Sequence, residues 1–216
     1  MLGSVFAIIV AKCLFGGLGQ NFANPAIVGR IFLLICFTGT IGGGVAPLTS
    51  QGAELTSSAT PLAIIGGAEG ELPSLLDMFL GFKGGAIGEV SVAAIVIGFI
   101  YLIARGVIHI ETPIIFVATV FALSLIADNS VNMALYQVRA GGLAFGAVFM
   151  ATDYVTTPIT RTGKMIFALG CGLITFLIRY YGNYPEGVSF SILFMNILSP
   201  YIEKWTAPKA LGGKKA

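Results

Sequence analysis

The sequence predicts an all-α protein that crosses a lipid bilayer several times. Only 10% of its 216 residues are charged, compared with about 25% in a typical soluble domain, and its mean hydropathy is +0.91. Apolar runs of roughly the 20 residues that a helix needs to cross a bilayer recur along the whole chain. The 29 glycines suit helices that pack closely through small residues.

Composition and motifs exclude several functions. The net charge of +2 and the lack of a basic stripe argue against a nucleic-acid partner. The sequence has no Walker loop, dinucleotide-binding glycine motif, HExxH pattern or Ser-His-Asp set, so we expect neither NAD binding nor independent hydrolysis. His109 is the only histidine and the three cysteines have no CxxC spacing, so no metal site is predicted.

Seven apolar runs predict about seven spans, at 5–18, 27–41, 87–105, 112–126, 135–150, 164–181 and 188–202. Lysine and arginine mark the cytoplasmic side. Arg105, Arg161, Lys164 and the four lysines after the last span fall on one face, which places the C-terminus in the cytoplasm and segment 42–83 outside. Glycines and prolines interrupt 61–83, so we expect it to lie outside the bilayer with a short surface helix at 72–82. A full crossing there is the alternative.

An internal repeat is visible between residues 5–25 and 166–185 and the apolar runs that follow them. Each copy has a helix with a cation near its end (Lys12 or Arg179), an aromatic-Gly break, a proline turn and a second helix. The copies run in opposite directions, which is typical of an inverted-topology repeat with binding sites near broken helices. Chance similarity is the alternative. Snorkelling to the membrane interface is the favoured interpretation of both cations.

The repeat predicts four regions. Residues 1–45 form the end of the first repeat, 46–86 an extracytoplasmic segment, 87–205 the second repeat and 206–216 a cytoplasmic tail. Three spans precede the second copy and none precedes the first. We therefore expect three helices to be missing at the N-terminal side.

Two polar stretches contain candidate functional residues. Thr60 lies in the hydroxyl-rich run 54–62, and Pro61 disfavours a helical conformation for it, so an extended Thr60 with an accessible oxygen is predicted. An ordinary surface loop is the alternative. Glu89 follows a glycine-rich turn that could bind an anion, or it lies in the first turn of a helix and complements the helix dipole. Arg139 could pair with an acid that the sequence does not identify.

The run 151–160 is the most polar stretch beside a span. Its residues Asp153 and Thr156 would face Asn21 and Asn24 on the inner side if the repeat is real. Flavins and ions both accept such neighbours, although a capped helix end explains the same residues.

Five segments of the sequence, taken in order, carry a resemblance to a known family. The segments are Phe15-Gly16-Gly17-Leu18-Gly19-Gln20-Asn21 with Asn24-Pro25-Ala26 and Gly29-Arg30, then Ser58-Ala59-Thr60-Pro61-Leu62, Ile87-Gly88-Glu89-Val90-Ser91, Ala151-Thr152-Asp153-Tyr154-Val155-Thr156 and Tyr184-Pro185-Glu186-Gly187. Together they resemble the RnfD/NqrB family, the large membrane subunits of the Rnf and sodium-translocating NADH:quinone oxidoreductase complexes. The Thr-Pro ending of the hydroxyl motif and the short length look more like RnfD. The resemblance implies an additional N-terminal membrane region and a fold similar to urea and ammonium channels.

The resemblance also implies cofactors. The family carries FMN through a phosphoester bond to a threonine, and Thr60 matches that threonine, although Ser58 stands where glycine is usual and Glu54 is a displaced acidic residue. A second, non-covalent flavin (riboflavin) is implied toward the cytoplasmic side. We assign it the candidate residues Asn21, Asn24, Asp153 and Thr156. Glu89 and Asp153 are candidate stations for ion passage.

The resemblance thus implies an electron-transfer subunit of an Rnf-type complex in the prokaryotic cytoplasmic (inner) membrane, with Thr60 on the extracytoplasmic side. Such a complex moves electrons between ferredoxin and NAD while it drives Na⁺ or H⁺ outward. The chain is not expected to be catalytic alone, because other subunits, including a second covalent flavoprotein, would complete the reaction. A solute channel without a redox role and an assembly scaffold are the alternatives.

Overall fold

The structure, a computed structural model, describes residues 1–17, 19–37, 60–70, 72–85, 88–182 and 186–208, and for 44–45 and 57–58 the backbone alone. Helices dominate this part of the chain, which confirms the predicted helical class. A two-stranded antiparallel pair joins Gly44–Val45 (β1) and Ser57–Ser58 (β2). The helices are α1 (Leu2–Ile8, continued as a π-helix over Ile9–Cys13), α2 (Pro25–Cys36), α3 (Pro61–Ile65), α4 (Leu75–Leu80), α5 (Val92–Ala104), α6 (Glu111–Asp128), α7 (Val131–Arg139), α8 (Leu143–Phe145, continued as a π-helix over Gly146–Met150), α9 (Arg161–Tyr181) and α10 (Val188–Thr206).

The first two helices form a tightly packed hairpin. A Cβ atom on Gly29 would lie only 2.7 Å from the carbonyl oxygen of Gly3, so the close approach of α1 and α2 depends on glycine at this point. Phe6 and Phe32 stack with their ring centroids 3.9 Å apart. Asn24 caps α2 by accepting a hydrogen bond from the Ala26 N–H at 3.0 Å.

The core lies among α6, α9 and α10. Phe116 on α6, Phe167 and Cys171 on α9 and Ile192 on α10 are fully buried together. A Cβ atom on Gly172 would lie 2.6 Å from the Thr119 Cβ. The glycine therefore lets α9 approach α6 as closely as small residues allow in membrane helices.

A sharp break separates α7 from α8, whose axes differ by 64°. Gly141 has φ +63° at the break, in the left-handed region that glycine adopts without strain. The break leaves the last carbonyls of α7 without helical partners. It therefore creates a place where side chains from other elements can bind the backbone.

Two helices in the described residues, α6 and α9, are long and apolar enough to cross a membrane, and the bent α7–α8 pair makes a third. Three shorter apolar helices are Leu2–Cys13, Pro25–Cys36 and Val92–Ala104. The seven spans and the likeness to urea channels stay predictions, as do the inverted repeat and the four-region division.

The segment after Thr60 contains two short helices, α3 with 5 residues and α4 with 6. Neither is long enough to cross a bilayer. A short helix is present where one was predicted at 72–82, as α4, and its place at the membrane surface stays a prediction. Leu62 of α3 and Met78 of α4 pack against Ala140 at the α7–α8 break, which joins this segment to the helical bundle.

Several predictions fall on residues outside the described ranges. They are the Glu54 flank of the threonine motif, Ile87 in the glycine-rich turn, the turn at Asn183, Tyr184 and Pro185, and the tail lysines Lys209, Lys214 and Lys215.

Candidate functional site

Thr60 has the backbone conformation that the sequence predicts. Its φ of −69° and ψ of 149° are extended, and Pro61 begins α3 directly after it. The Thr60 hydroxyl accepts a hydrogen bond from the Ala63 N–H at 3.3 Å and is the N-cap of the helix. The residue is partly exposed.

The helix that follows Thr60 is anchored on its inner side. Pro61 and Leu62 are buried, and Leu62 is only 5% exposed. Its neighbours Met78 and Ala140 belong to α4 and to the α7–α8 break. Thr60 is therefore attached to a packed element although the segment around it is polar.

Two of the four candidate residues for a second flavin line one open cavity of about 500 Å³. Asn24 lies at the start of α2, and Asp153 follows the π-helix at Gly146–Met150. The size falls within the roughly 300–1,000 Å³ of small-molecule sites. The lining residues are Asn24, Pro25, Ala26, Leu102, Ile108, Val148, Phe149, Thr152, Asp153 and Tyr154.

The other two candidates support the lining residues. The Thr156 hydroxyl donates to the Asp153 carboxylate at 3.1 Å, and the Val155 N–H donates to the other carboxylate oxygen at 3.3 Å. Asn21 is not a lining residue. Its side-chain amide donates to the Ala23 carbonyl at 3.1 Å and closes the turn before Asn24. The sequence reasoning missed the apolar walls because apolar residues in spans carry no distinguishing signal.

Glu89 lies in a cluster of charged groups that the sequence reasoning did not assemble. The Arg30 guanidinium donates to the Glu89 carboxylate at 2.6 Å, and its other terminal nitrogen lies 2.9 and 2.8 Å from the two carboxylate oxygens of Glu186. The Gly142 N–H also donates to Glu186, at 3.2 Å. These partners are 59 and 156 residues from Arg30 in the chain, so spacing alone could not pair them.

The position of Glu89 corrects one prediction. Helix α5 begins at Val92 and is capped by the Ser91 hydroxyl, which accepts from the Ala94 N–H at 3.2 Å. Glu89 therefore precedes the helix, and its placement in the first turn of a helix was wrong.

Two further cations belong to this region. Lys83 is only 3% exposed, its ammonium group donates to the Arg139 carbonyl, and burial lowers its pKa to about 8. Arg179 donates to the carbonyls of Gln137 at 2.6 Å and Ala140 at 3.3 Å. The snorkelling interpretation of Arg179 was wrong, because the guanidinium binds the uncapped end of α7.

Arg139 also binds backbone and an aromatic ring. Its guanidinium donates to the Leu75 carbonyl at 3.0 Å and lies 5.8 Å from the centre of the Phe79 ring, within the range of a cation–π contact. In the described residues Arg139 therefore binds a carbonyl and an aromatic ring of α4 rather than a carboxylate. These two contacts hold α4 against α7.

These features define a helical membrane protein with a ligand-sized cavity and buried charges beside a broken helix, a combination found in proteins that move ions across membranes. The sequence model of the NQR2, RnfD, RnfE family matches residues 1–212, and the chain belongs to this family. The resemblance predicted from the five sequence segments is confirmed.

Three relatives illustrate the match. One, from the Na⁺-translocating ferredoxin:NAD⁺ oxidoreductase complex of Acetobacterium woodii, is 47% identical over 100% of this chain and 67% of its own length. Another, from the proton-translocating ferredoxin:NAD⁺ oxidoreductase complex of Clostridium ljungdahlii, is 39% identical, with coverage of 99% and 68%. A third, from the Na⁺-translocating NADH-quinone reductase of Azotobacter vinelandii, is 37% identical, with coverage of 94% and 53%. Each of the three is a single subunit of the enzyme named.

Proposed function

We propose that the chain is a flavin-carrying electron-transfer subunit of an Rnf-type complex, which couples electron transfer between ferredoxin and NAD to the translocation of Na⁺ or H⁺. The observation that carries this proposal is the 47% identity, over the full chain, with a subunit of a Na⁺-translocating ferredoxin:NAD⁺ oxidoreductase complex. Other subunits of the complex supply the sites for NAD and ferredoxin. A second covalent flavoprotein exchanges electrons with this chain on the outer face.

Thr60 is the proposed attachment point for FMN through a phosphoester at its hydroxyl oxygen. Its extended backbone and partial exposure support this assignment. The buried Leu62 fixes the helix that follows. When bound, FMN supplies one-electron redox chemistry, and the chain's part is to hold the ring in place and set its electrostatic surroundings.

The cavity between Asn24 and Asp153 is the proposed site of the second, non-covalent flavin, riboflavin. Its lining residues combine apolar side chains with an amide, two hydroxyls and a carboxylate, the mixture that small-molecule sites use for affinity and orientation. Thr156 fixes the Asp153 carboxylate. Asn21 fixes the turn that presents Asn24.

Glu89 and Asp153 are the proposed stations for ion passage. The Glu89 carboxylate is neutralised by Arg30 at 2.6 Å, so a cation can bind it only if the Arg30 contact opens. The orientation we propose places Thr60 outside and the C-terminus in the cytoplasm, as the distribution of lysine and arginine indicates.

The test is fluorescence of the denatured subunit. In the purified complex separated on a denaturing gel, we expect the wild-type subunit to fluoresce under ultraviolet light and a Thr60→Val variant to be dark. Ser74→Ala is the matched control, because Ser74 also caps a short helix without being an attachment candidate. A wild-type band without fluorescence would contradict covalent attachment of the flavin. That result would favour a solute channel, or an assembly scaffold if the subunit still associates with the other subunits.

A further inference from the structure

The three partly buried charges of Arg30, Glu89 and Glu186 form a bridge between separate elements. Arg30 comes from α2, Glu89 from the segment before α5 and Glu186 from the segment before α10. Arg30 uses one terminal nitrogen for each carboxylate. Only a planar guanidinium offers two such donors at fixed spacing, so lysine cannot reproduce the geometry.

The bridge formed by Arg30, Glu89 and Glu186 lies against the backbone of the α7–α8 break. A Cβ atom on Gly142 would lie 2.6 Å from the Glu186 carboxylate and 2.8 Å from the Glu89 carboxylate. The φ of Gly142 is −86°, which any residue adopts. A Cβ atom here would therefore displace both carboxylates that Arg30 gathers, and Glu186 holds this peptide by accepting a hydrogen bond from the Gly142 N–H.

The same break supports the helix that begins after Thr60. A Cβ atom on Gly141 would lie 3.2 Å from the Leu62 Cδ2 atom, 3.4 Å from the Arg179 guanidinium and 3.8 Å from Glu186. Leu62 thus contacts the backbone that the charged groups hold, and it is two residues from Thr60. A continuous set of contacts leads from Arg30 to Thr60.

We infer that Arg30 is a positioning residue for Thr60: it gathers Glu89 and Glu186 onto the α7–α8 break, and the break holds α3 through Leu62. Loss of Arg30 leaves two neighbouring carboxylates without the cation that they share, an arrangement that is strongly unfavourable away from water. The break then shifts, and α3 loses its support. The distance between these charges and a flavin attached to Thr60 changes as well. This last expectation rests on the function proposed above.

Hydrogen exchange on the assembled complex tests this inference. We expect Arg30→Gln to speed exchange of the backbone amides in 62–66 by at least about tenfold, as local opening becomes easier, while exchange in the core of α6 stays unchanged. Arg105→Gln is the matched control, because Arg105 is an exposed cation at the end of α5. Arg30→Lys, which restores charge but not the two-pronged contact, should give an intermediate rate.

A second variant keeps the inference falsifiable if Arg30→Gln does not assemble. Gly142→Ala leaves every charge in place but displaces the two carboxylates from the break, so it should speed exchange in 62–66 as well. Gly85→Ala is its control, since among the described residues a Cβ atom on Gly85 would meet Val90 alone, at an ordinary contact distance of 3.7 Å. Exchange in 62–66 that matches the controls in the variants that assemble would overturn the inference.

The outcome is separable from that of the proposed function. Hydrogen exchange can be compared between Thr60→Val and Thr60→Val with Arg30→Gln, where no flavin is attached and both proteins lack the Thr60 cap, so a missing flavin leaves this test intact. Where FMN is attached, its midpoint potential should shift in Arg30→Gln but not in Arg105→Gln. An unshifted potential would likewise contradict a positioning role.

Discussion

Lys83 is an unusual side chain, because an ammonium group is rarely buried unless it is paired. It is 3% exposed, and in the part of the chain that the structure describes it donates to the Arg139 carbonyl rather than to a carboxylate. Burial opposes the charged form, and Glu89 nearby only partly offsets this effect. The residue therefore contributes a pH-dependent term to stability.

The sign of this contribution follows from the pKa of Lys83, which is about 8 in the folded protein and roughly 10.4 in an unfolded chain. Below both values the folded state bears the full cost of a buried charge. As the pH rises from 8 toward 10.4 the folded state releases its proton first, so stability increases. We expect the thermal midpoint of the purified complex to rise over this range relative to Lys83→Met. The exposed Lys204→Met is the control, and identical pH profiles for all three proteins would contradict the prediction.

Asp153 is the carboxylate in the cavity, and its geometry is set by Thr156 and Val155. We expect Asp153→Asn to lower the amount of flavin that denaturation releases from the complex, because a donor amide would replace the acceptor carboxylate on this wall. Asn24→Ala should act in the same direction. Ser130→Ala, which removes a helix cap outside the cavity lining, controls for loss of a cap alone. An unchanged amount of non-covalent flavin in Asp153→Asn and Asn24→Ala would contradict the proposed flavin site in this cavity.

The broken helix α7–α8 connects the main candidate sites. Its uncapped carbonyls bind Arg179, its Gly142 N–H binds Glu186, and its Ala140 packs against Leu62. Broken helices in membranes are tolerated where neighbouring groups satisfy the freed backbone, and here Arg179 and Glu186 do so. The break is thus a stable feature of the fold.

A pair of glycine variants separates the two reasons for glycine at the break. Gly141 and Gly106 have φ of +63° and +67°, so alanine at either position costs about 1–2 kcal/mol of backbone strain. A Cβ atom on Gly106 meets nothing within 4 Å, whereas one on Gly141 lies 3.2 Å from Leu62. We expect Gly141→Ala to lower the thermal midpoint more than Gly106→Ala. Equal decreases in the thermal midpoint for the two variants would contradict this prediction and would mean that Leu62 has room for the added methyl group.

Over the whole chain, local features of the structure could be predicted from the sequence and long-range contacts could not. Pro61 predicted an extended Thr60 because its effect is local, and the motif order identified the family because motifs are read directly from the chain. The Arg30 contacts were not predictable, since their partners lie 59 and 156 residues away. The start of α5 was misplaced because apolar residues before Ser91 resemble the helix that follows.

The proposed orientation can be measured in intact cells. In a background with Cys13 and Cys36 replaced by serine, both being exposed thiols, we expect a membrane-impermeant thiol reagent to label Glu69→Cys from outside. It should label Lys204→Cys only after the membrane is opened. Glu69 and Lys204 are both exposed, so access to the reagent depends on the side of the membrane. The reverse labelling pattern would contradict the orientation.

The most direct measurement is peptide mass spectrometry of the subunit from a purified complex that is active in electron transfer. The account predicts that the peptide containing Thr60 carries the mass of FMN less one water, and that fragmentation places the addition on the Thr60 oxygen. An unmodified Thr60 in such an active complex would contradict the account.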